Sequence, residues 1–251
     1  MSGPGAREQM LGRLRAAAPA DGGDLAQLQQ RIDDYYAGRH AAQPLAPQDL
    51  VRSMQEAMSA SHADVWLASG ADWPQLLADK LAAKGVRRLL LDPASAEGAA
   101  LAQALPDSVQ PLAFDLPLEQ WKAELFDSVG AGFTVARSGI AATGTLVLAP
   151  DRGTPRTVSL VPPLHVALVY ASTLHRDLYA AAQAERWGEG MPSNLVLASG
   201  PSKTSDIQQT LAYGAHGPRW MWVVIVLDGE LADADSPTPA TSQAVSQGGL
   251  Q

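Results

Sequence analysis

The chain reads as an α/β protein, and three observations carry that reading. From Asp64 onward, short apolar runs alternate with helical patterns, as expected of a sheet covered by helices. Met221–Leu227 is apolar and rich in β-branched residues, long enough for a strand buried on both faces. The stretch Asn194–Leu227, which that run closes, reads as strand, polar loop, short helix, turn and strand.

In order, residues 1–30 are rich in Ala and Gly, with a short helical pattern around Met10, Leu11 and Leu14. Arg7, Arg13 and Arg15 give this part a positive face. A helical arm over 1–42 is expected, either packing on a partner or fraying as a terminus. Gln43–Ala46, with Pro44 inside it and Pro47 directly after it, reads as a connection to a domain spanning 43–228. Leu50, Val51, Met54 and Met58 lie at helical spacing and predict a core-facing helix. Val65-Trp66-Leu67 predicts a strand within Asp64–Ser69. Trp73–Lys84 predicts a helix with Leu76, Leu77 and Leu81 on one side, ended by Gly85. Val86–Leu91 follows as a buried strand, closed by Asp92-Pro93, and Ala94–Leu105 as a helix.

Val109–Phe114 predicts a strand, Leu118–Ser128 a helix, and Phe133–Ala136 opens the middle block. There Gly139 and Gly144 bracket Ile-Ala-Ala-Thr, ahead of the strand-like Leu146-Val147-Leu148. Glycines at such places permit tight turns or close approach of backbone to a ligand. Thr143 and Thr145 set two hydroxyls beside Gly144, so the block is either a ligand wall or a hairpin corner. Asp151–Thr157, with Arg152 and Arg156, reads as a polar loop. Leu164–Tyr170 is apolar except for His165, and such a histidine is either hydrogen-bonded structure or a catalyst. Leu174–Trp187 reads as a helix. The tail, 229–251, has no Lys or Arg and is rich in Ala, Ser, Thr, Pro and Gln, a composition that predicts disorder.

Composition limits the possible functions. Over 251 residues, Lys+Arg 18 against Asp+Glu 26 gives a net charge of -8, which argues against a nucleic-acid or acidic-membrane surface. The chain has no Cys, so it offers no thiolate for a disulfide, a nucleophile or an iron–sulfur cluster. No run approaches the roughly 20 apolar residues of a membrane span, and no secretory apolar stretch begins the sequence. A soluble, cytoplasmic protein is the expectation. The histidines His40, His62, His165, His175 and His216 form neither His-x-x-x-His nor His-Glu-x-x-His, so no local metal site is expected. A Gly-x-Ser-x-Gly elbow is likewise missing.

The polar loop Ser199–Ser205 carries the most chemistry. Gly200 and Pro201 shape it, Ser202, Thr204 and Ser205 supply hydroxyls, and Lys203 supplies a positive charge. A helix over Asp206–Tyr213, suggested by Ile207 and Leu211 four apart, would begin where this loop ends. Its N-terminal N–H groups would then make an anion pocket. In the alternative reading Thr204 or Ser205 only caps the helix and Asp206 complements its dipole. The loop lacks the spacing of a P-loop or dinucleotide fingerprint.

Ser199-Gly-Pro-Ser-Lys-Thr-Ser-Asp-Ile-Gln-Gln-Thr-Leu211, followed by Gly214-Ala-His-Gly-Pro218, resembles the C-terminal motif of the LUD-domain family, more narrowly its lactate-utilisation C group. Gly139–Leu148 resembles that family's other motif, and Leu160-Val-Pro-Pro-Leu-His165 fits in order and spacing. The resemblance covers roughly residues 60–228. It implies a three-layer α/β sandwich with a mixed, mostly parallel sheet, like the sugar-phosphate isomerase and CoA-transferase folds. It also implies a part in oxidising L-lactate to pyruvate beside two iron–sulfur partner proteins, with this chain free of clusters and other cofactors.

Under that resemblance, Gly200–Ser205 with Lys203 would meet a small carboxylate or phosphate. Gly139, Thr143, Gly144, Thr145, His216, Gly217 and Arg219 would form the facing wall. His165, Asp206 and His216 are the candidates for proton transfer. Family members commonly carry an acidic residue where this chain has Ala142, and often Glu where it has Gln208. Covalent chemistry through a Glu of either motif is therefore closed to it. Three functions stay open: a non-redox component of a lactate-oxidising system, a stand-alone enzyme on a phosphorylated or acyl substrate, and a ligand-binding regulatory module.

Overall fold

The computed structural model describes residues 5–17, 24–207 and 210–232. The chain divides into two compact units, residues 1–44 and 45–251. In the first, α1 (Ala6–Ala17) and α2 (Leu25–Ala42) are helical without a buried residue. The Asp24 carboxylate caps α2 by accepting from the Ala26 and Gln27 amides.

The second unit begins with α3 (Pro47–Ala60), which has Pro at its start and the Asp49 carboxylate bonded back to the Ala46 N–H at 3.1 Å. Val51, Met54 and Met58 face inward from it. The chain continues through β1 (Asp64–Ser69), α4 (Trp73–Lys84), β2 (Arg88–Leu90), α5 (Ala96–Ala104), β3 (Gln110–Leu112), α6 (Leu118–Asp127) and β4 (Ala131–Val135). Gly85 ends α4 at φ 79, a left-handed conformation that glycine adopts without the usual Cβ penalty. After β4 come β5 (Ser138–Ile140), β6 (Thr145–Leu148), α7 (Arg156–Leu160), β7 (Leu164–Tyr170) and β8 (Leu174–His175). The last elements are α8 (Leu178–Ala184), β9 (Val196–Ala198), β10 (Lys203–Ile207), β11 (Thr210–Tyr213) and β12 (Trp220–Leu227).

Six strands form one sheet in the order β1-β12-β7-β4-β2-β3, every pair parallel. A smaller mixed sheet runs β8-β5-β6-β9, and β10-β11 stands alone as an antiparallel hairpin. Period-two alternation sorts the large sheet's side chains. Leu164, Val166, Leu168, Trp222, Val224 and Val226 meet Trp73, Leu77, Leu81 and Leu101 of α4 and α5. Ala167, Val169, Met221, Val223 and Ile225 meet α3 and the small sheet's Leu146, Leu148 and Leu174. The layers are helix, parallel sheet, then helix with mixed sheet, as expected of a three-layer α/β fold.

Three local expectations change. Asp206–Tyr213 is no helix. Lys203 pairs with Tyr213 and Thr204 with Ala212 across the hairpin. Thr, Ser and Asp are weak helix formers, while Thr, Ile and Tyr suit a pleated ladder. Thus Ile207 and Leu211, four apart, fall on opposite arms instead of one helical face. Within Leu174–Trp187 the helix is confined to α8, because Asp177 caps it by accepting the Ala180 N–H at 2.9 Å. The loop expected at Asp151–Thr157 runs into α7 at Arg156. The expected disorder of the tail falls, beyond Ala232, outside the described residues.

Candidate functional site

A pocket of about 300 Å³ opens where the hairpin, the small sheet and the large sheet converge. Its floor includes His165, second residue of β7, whose register partners are Gly132 on one side and Met221 on the other. One wall is the edge strand β9 with Ser199 and Gly200, another is Ser159 and Leu160 of α7, and the third is Ser202, Lys203, His216, Gly217 and Pro218.

His165 is 1% exposed, and its Nε2 lies 2.8 Å from the Thr134 hydroxyl on the adjacent strand. Burial pulls its pKa down to about 4, because an imidazolium has no water there to solvate it. At neutral pH the ring is therefore uncharged. Ser202 organises the base of the hairpin. Its N–H donates to the Pro218 carbonyl at 2.8 Å, its carbonyl accepts from Gly214 N–H at 3.0 Å, and its hydroxyl accepts from His216 N–H at 3.3 Å. This brings Lys203 and His216 to one rim, and both side chains are exposed there. Gly200 has φ 132, and a Cβ on it would come within 2.8 Å of the Ser61 carbonyl, so this turn requires glycine.

The polar lining comprises Ser159, Ser199, Ser202, His165, His216 and Lys203, with neither Asp nor Glu among the described lining residues. Ser159 turns its hydroxyl to the Arg156 carbonyl at 3.1 Å. The others present hydroxyl, imidazole and ammonium groups, which suit an acceptor-rich anion.

Of the residues expected from sequence, His165, Gly200, Ser202, Lys203, His216 and Gly217 come together in this pocket. Pro201 and Thr204 flank it without lining it. Ser205 and Asp206 lie on β10, and their side chains, like residue Gln208, lie outside the described residues. Since no helix starts there, Asp206 complements no dipole. Gly139 and Gly144 serve packing: a Cβ on Gly139 would meet Leu174 at 2.6 Å, and one on Gly144 would meet the Met58 backbone N of α3 at 2.6 Å. Thr143 and Thr145 reach the pocket only through Ser199. Thr145 Oγ1 lies 2.7 Å from both Thr143 Oγ1 and Ser199 Oγ. Arg219 turns away and sits 5.0 Å over the Trp220 ring. Ala142 is exposed in the turn between β5 and β6, its N–H bonded to the Arg176 carbonyl. The sequence reading left out of the site Leu148, Ser159, Leu160, Val196, Leu197 and Ala198, which reach the pocket through tertiary packing, and Ser199 and Pro218, which adjoin predicted residues in the chain.

Residues 51–226 match the LUD domain. The chain belongs to the LUD-domain family. A protein of Neisseria meningitidis serogroup B, itself called uncharacterised, is 37% identical over 232 residues, 92% of this chain and 97% of that protein. The lactate utilization protein C of Halalkalibacterium halodurans is 37% identical over 114 residues, and that of Shouchella clausii 36% over 110. Each of these alignments spans 43% of this chain and 47% of the relative. The crystal structure of a DUF162-family protein from Deinococcus radiodurans superposes with a TM-score of 0.55 at 23% identity. It covers 73% of this chain and 99% of that one, a likeness of fold. Among the described residues no helix is long and apolar enough to cross a membrane, and no three metal-ligating side chains cluster.

Proposed function

We propose that this LUD-domain protein is the cluster-free component of an L-lactate utilisation system, and that its pocket holds the small carboxylate while iron–sulfur partner proteins carry away the two electrons its oxidation releases. The observation that carries the reading is the pocket's lining of hydroxyls, imidazoles and one ammonium, without a carboxylate among the described lining residues. A negative charge would be repelled by an acidic lining and is attracted by this one. A volume of about 300 Å³ equals roughly ten waters' share of liquid, so a three-carbon acid fits with bridging waters. The shared segment with relatives named lactate utilization protein C adds support. With no Cys, the chain would leave thiolate-held clusters to its partners. His165, buried and uncharged with Nε2 committed to Thr134, is a weak base, which favours holding the acid over turning it over alone. The proposed compartment is the cytoplasm.

Binding tests the pocket. Calorimetry with L-lactate, pyruvate and inorganic phosphate should show Lys203→Ala weakening at least one ligand roughly fivefold, a modest loss because an exposed charge is screened. Unchanged affinity would remove Lys203 from the site. Reconstitution tests the role. Lactate-dependent reduction of an electron acceptor should require this chain together with both iron–sulfur proteins, and full activity from those two alone would refute it.

A further inference from the structure

Resting on the anion-pocket reading, we infer that Ser199 is the direct hydrogen-bond donor to the bound oxyanion and that Thr145 is a positioning residue acting through it. Thr143 is the outer end of the same hydroxyl relay. The antiparallel pairing of Leu146 with Ala198 places the flanking residues Thr145 and Ser199 side by side where the two strands end. Their hydroxyl oxygens are 2.7 Å apart, and Thr143 lies 2.7 Å beyond Thr145. Thr145 is 6% exposed, Thr143 is exposed to solvent, and Ser199 lines the pocket.

A hydroxyl has one proton and two lone pairs. Thr145, between two hydroxyls, donates to one neighbour and accepts from the other, so the row has only two directions. An acceptor in the pocket selects one of them: Thr143 donates to Thr145, Thr145 to Ser199, and Ser199 to the ligand. Water at the exposed Thr143 serves its remaining lone pairs. Bonds aligned in this way polarise one another, so Ser199 donates more strongly than an isolated serine. A ligand offering only donors would reach just the second lone pair of Ser199 and leave its proton without an acceptor. It would also find no carboxylate among the described lining residues to receive it. The relay therefore selects carboxylate or phosphate oxygens over hydroxyl or amide donors.

The test is calorimetry of the full chain with L-lactate and with inorganic phosphate, melting temperature being followed for each variant. Ser199→Ala should weaken binding roughly tenfold and Thr145→Val roughly threefold. Thr145→Ser, which keeps the hydroxyl, should stay within about twofold of the unmodified protein. Ser199→Ala/Thr145→Val should bind no more weakly than Ser199→Ala, because Thr145 acts through Ser199. Should valine at buried position 145 impair folding, the exposed Thr143→Val tests the same row. It should weaken binding when Ser199 is present and have no effect when it is alanine. Valine variants that bind as the unmodified protein does, or losses that add fully to that of Ser199→Ala, overturn the relay alone. Binding of neither probe by the unmodified protein overturns the pocket reading and the relay with it.

Discussion

His165 should make the fold sensitive to mild acid, by an amount the structure sets. In the unfolded chain an imidazole titrates near its ordinary value of 6.5, whereas burial lowers the folded value to about 4. Between those values the unfolded state binds the extra proton and the folded state does not. Stability is therefore retained above about pH 6.5 and lost as pH falls toward 4. At 1.36 kcal/mol per unit of displacement, this one ring accounts for about 2.5 kcal/mol lost by pH 4.5. Urea unfolding at about pH 7.5 and pH 4.5 should therefore show a steeper acid loss in the unmodified protein than in His165→Gln, by about that amount. The comparison uses each protein's own pH difference, so any constant cost of the substitution cancels. Parallel losses in the two proteins would show that His165 is protonated while folded, and the account of an uncharged pocket floor would fail.

Two glycines carry further expectations. A Cβ on Gly132 would fall 2.0 Å from the Val158 carbonyl oxygen, so Gly132→Ala must displace α7 and with it Ser159 and Leu160 of the pocket. Destabilisation of about 2 kcal/mol by urea midpoint, with weakened anion binding by calorimetry, is the expected outcome. Gly144→Ala combines a left-handed φ of 56 with contacts of 2.6 and 2.8 Å to the α3 backbone. It should cost about 2–4 kcal/mol, and an unchanged melting temperature would show that α3 yields easily.

Strong periodicity made much of the fold legible. Leu77 and Leu81 mark α4, Gly85 its end, and Met221–Leu227 a strand buried on both faces; all three agree with the structure. The hairpin was not legible, because spacing of Ile207 and Leu211 by four satisfies a helical face as well as two facing arms. Only the pairing of Lys203 with Tyr213 decides between them. In the site, the loop residues Gly200, Ser202 and Lys203 announced themselves by type, and His165 stood out as one polar residue in an apolar run. Gly139 and Gly144 looked the same from sequence, since glycine marks close approach without saying to what. For them the neighbours are Leu174 and α3. Ser159 carried no signal at all, being brought to the pocket by α7 lying over Gly132.

Open parallel sheets usually bind ligands at the carboxyl ends of their strands, where the strand order reverses, yet this pocket lies at the opposite edge of β7 and β12. His165 is near the start of β7, and Gly217 and Pro218 precede β12. The carboxyl ends are tied by their own side chains. Ser172 N–H and Oγ donate to Asp228 at 2.8 and 2.6 Å, and the Tyr170 hydroxyl donates to Glu97 at 2.9 Å. Burial, with the hydrogen bond and charge of Glu97 and the charge of Asp228, pushes Tyr170 up to about 12, and those two carboxylates are the wrong field for an acid anion. At the amino edge three separate sheets each bring one polar group: β7 its uncharged imidazole, the end of β9 its Ser199 hydroxyl, and β10 its Lys203 ammonium. A ligand bonded to all three would tie the isolated hairpin to the rest of the fold. An anion that bridges these groups should therefore stabilise the protein by mass action.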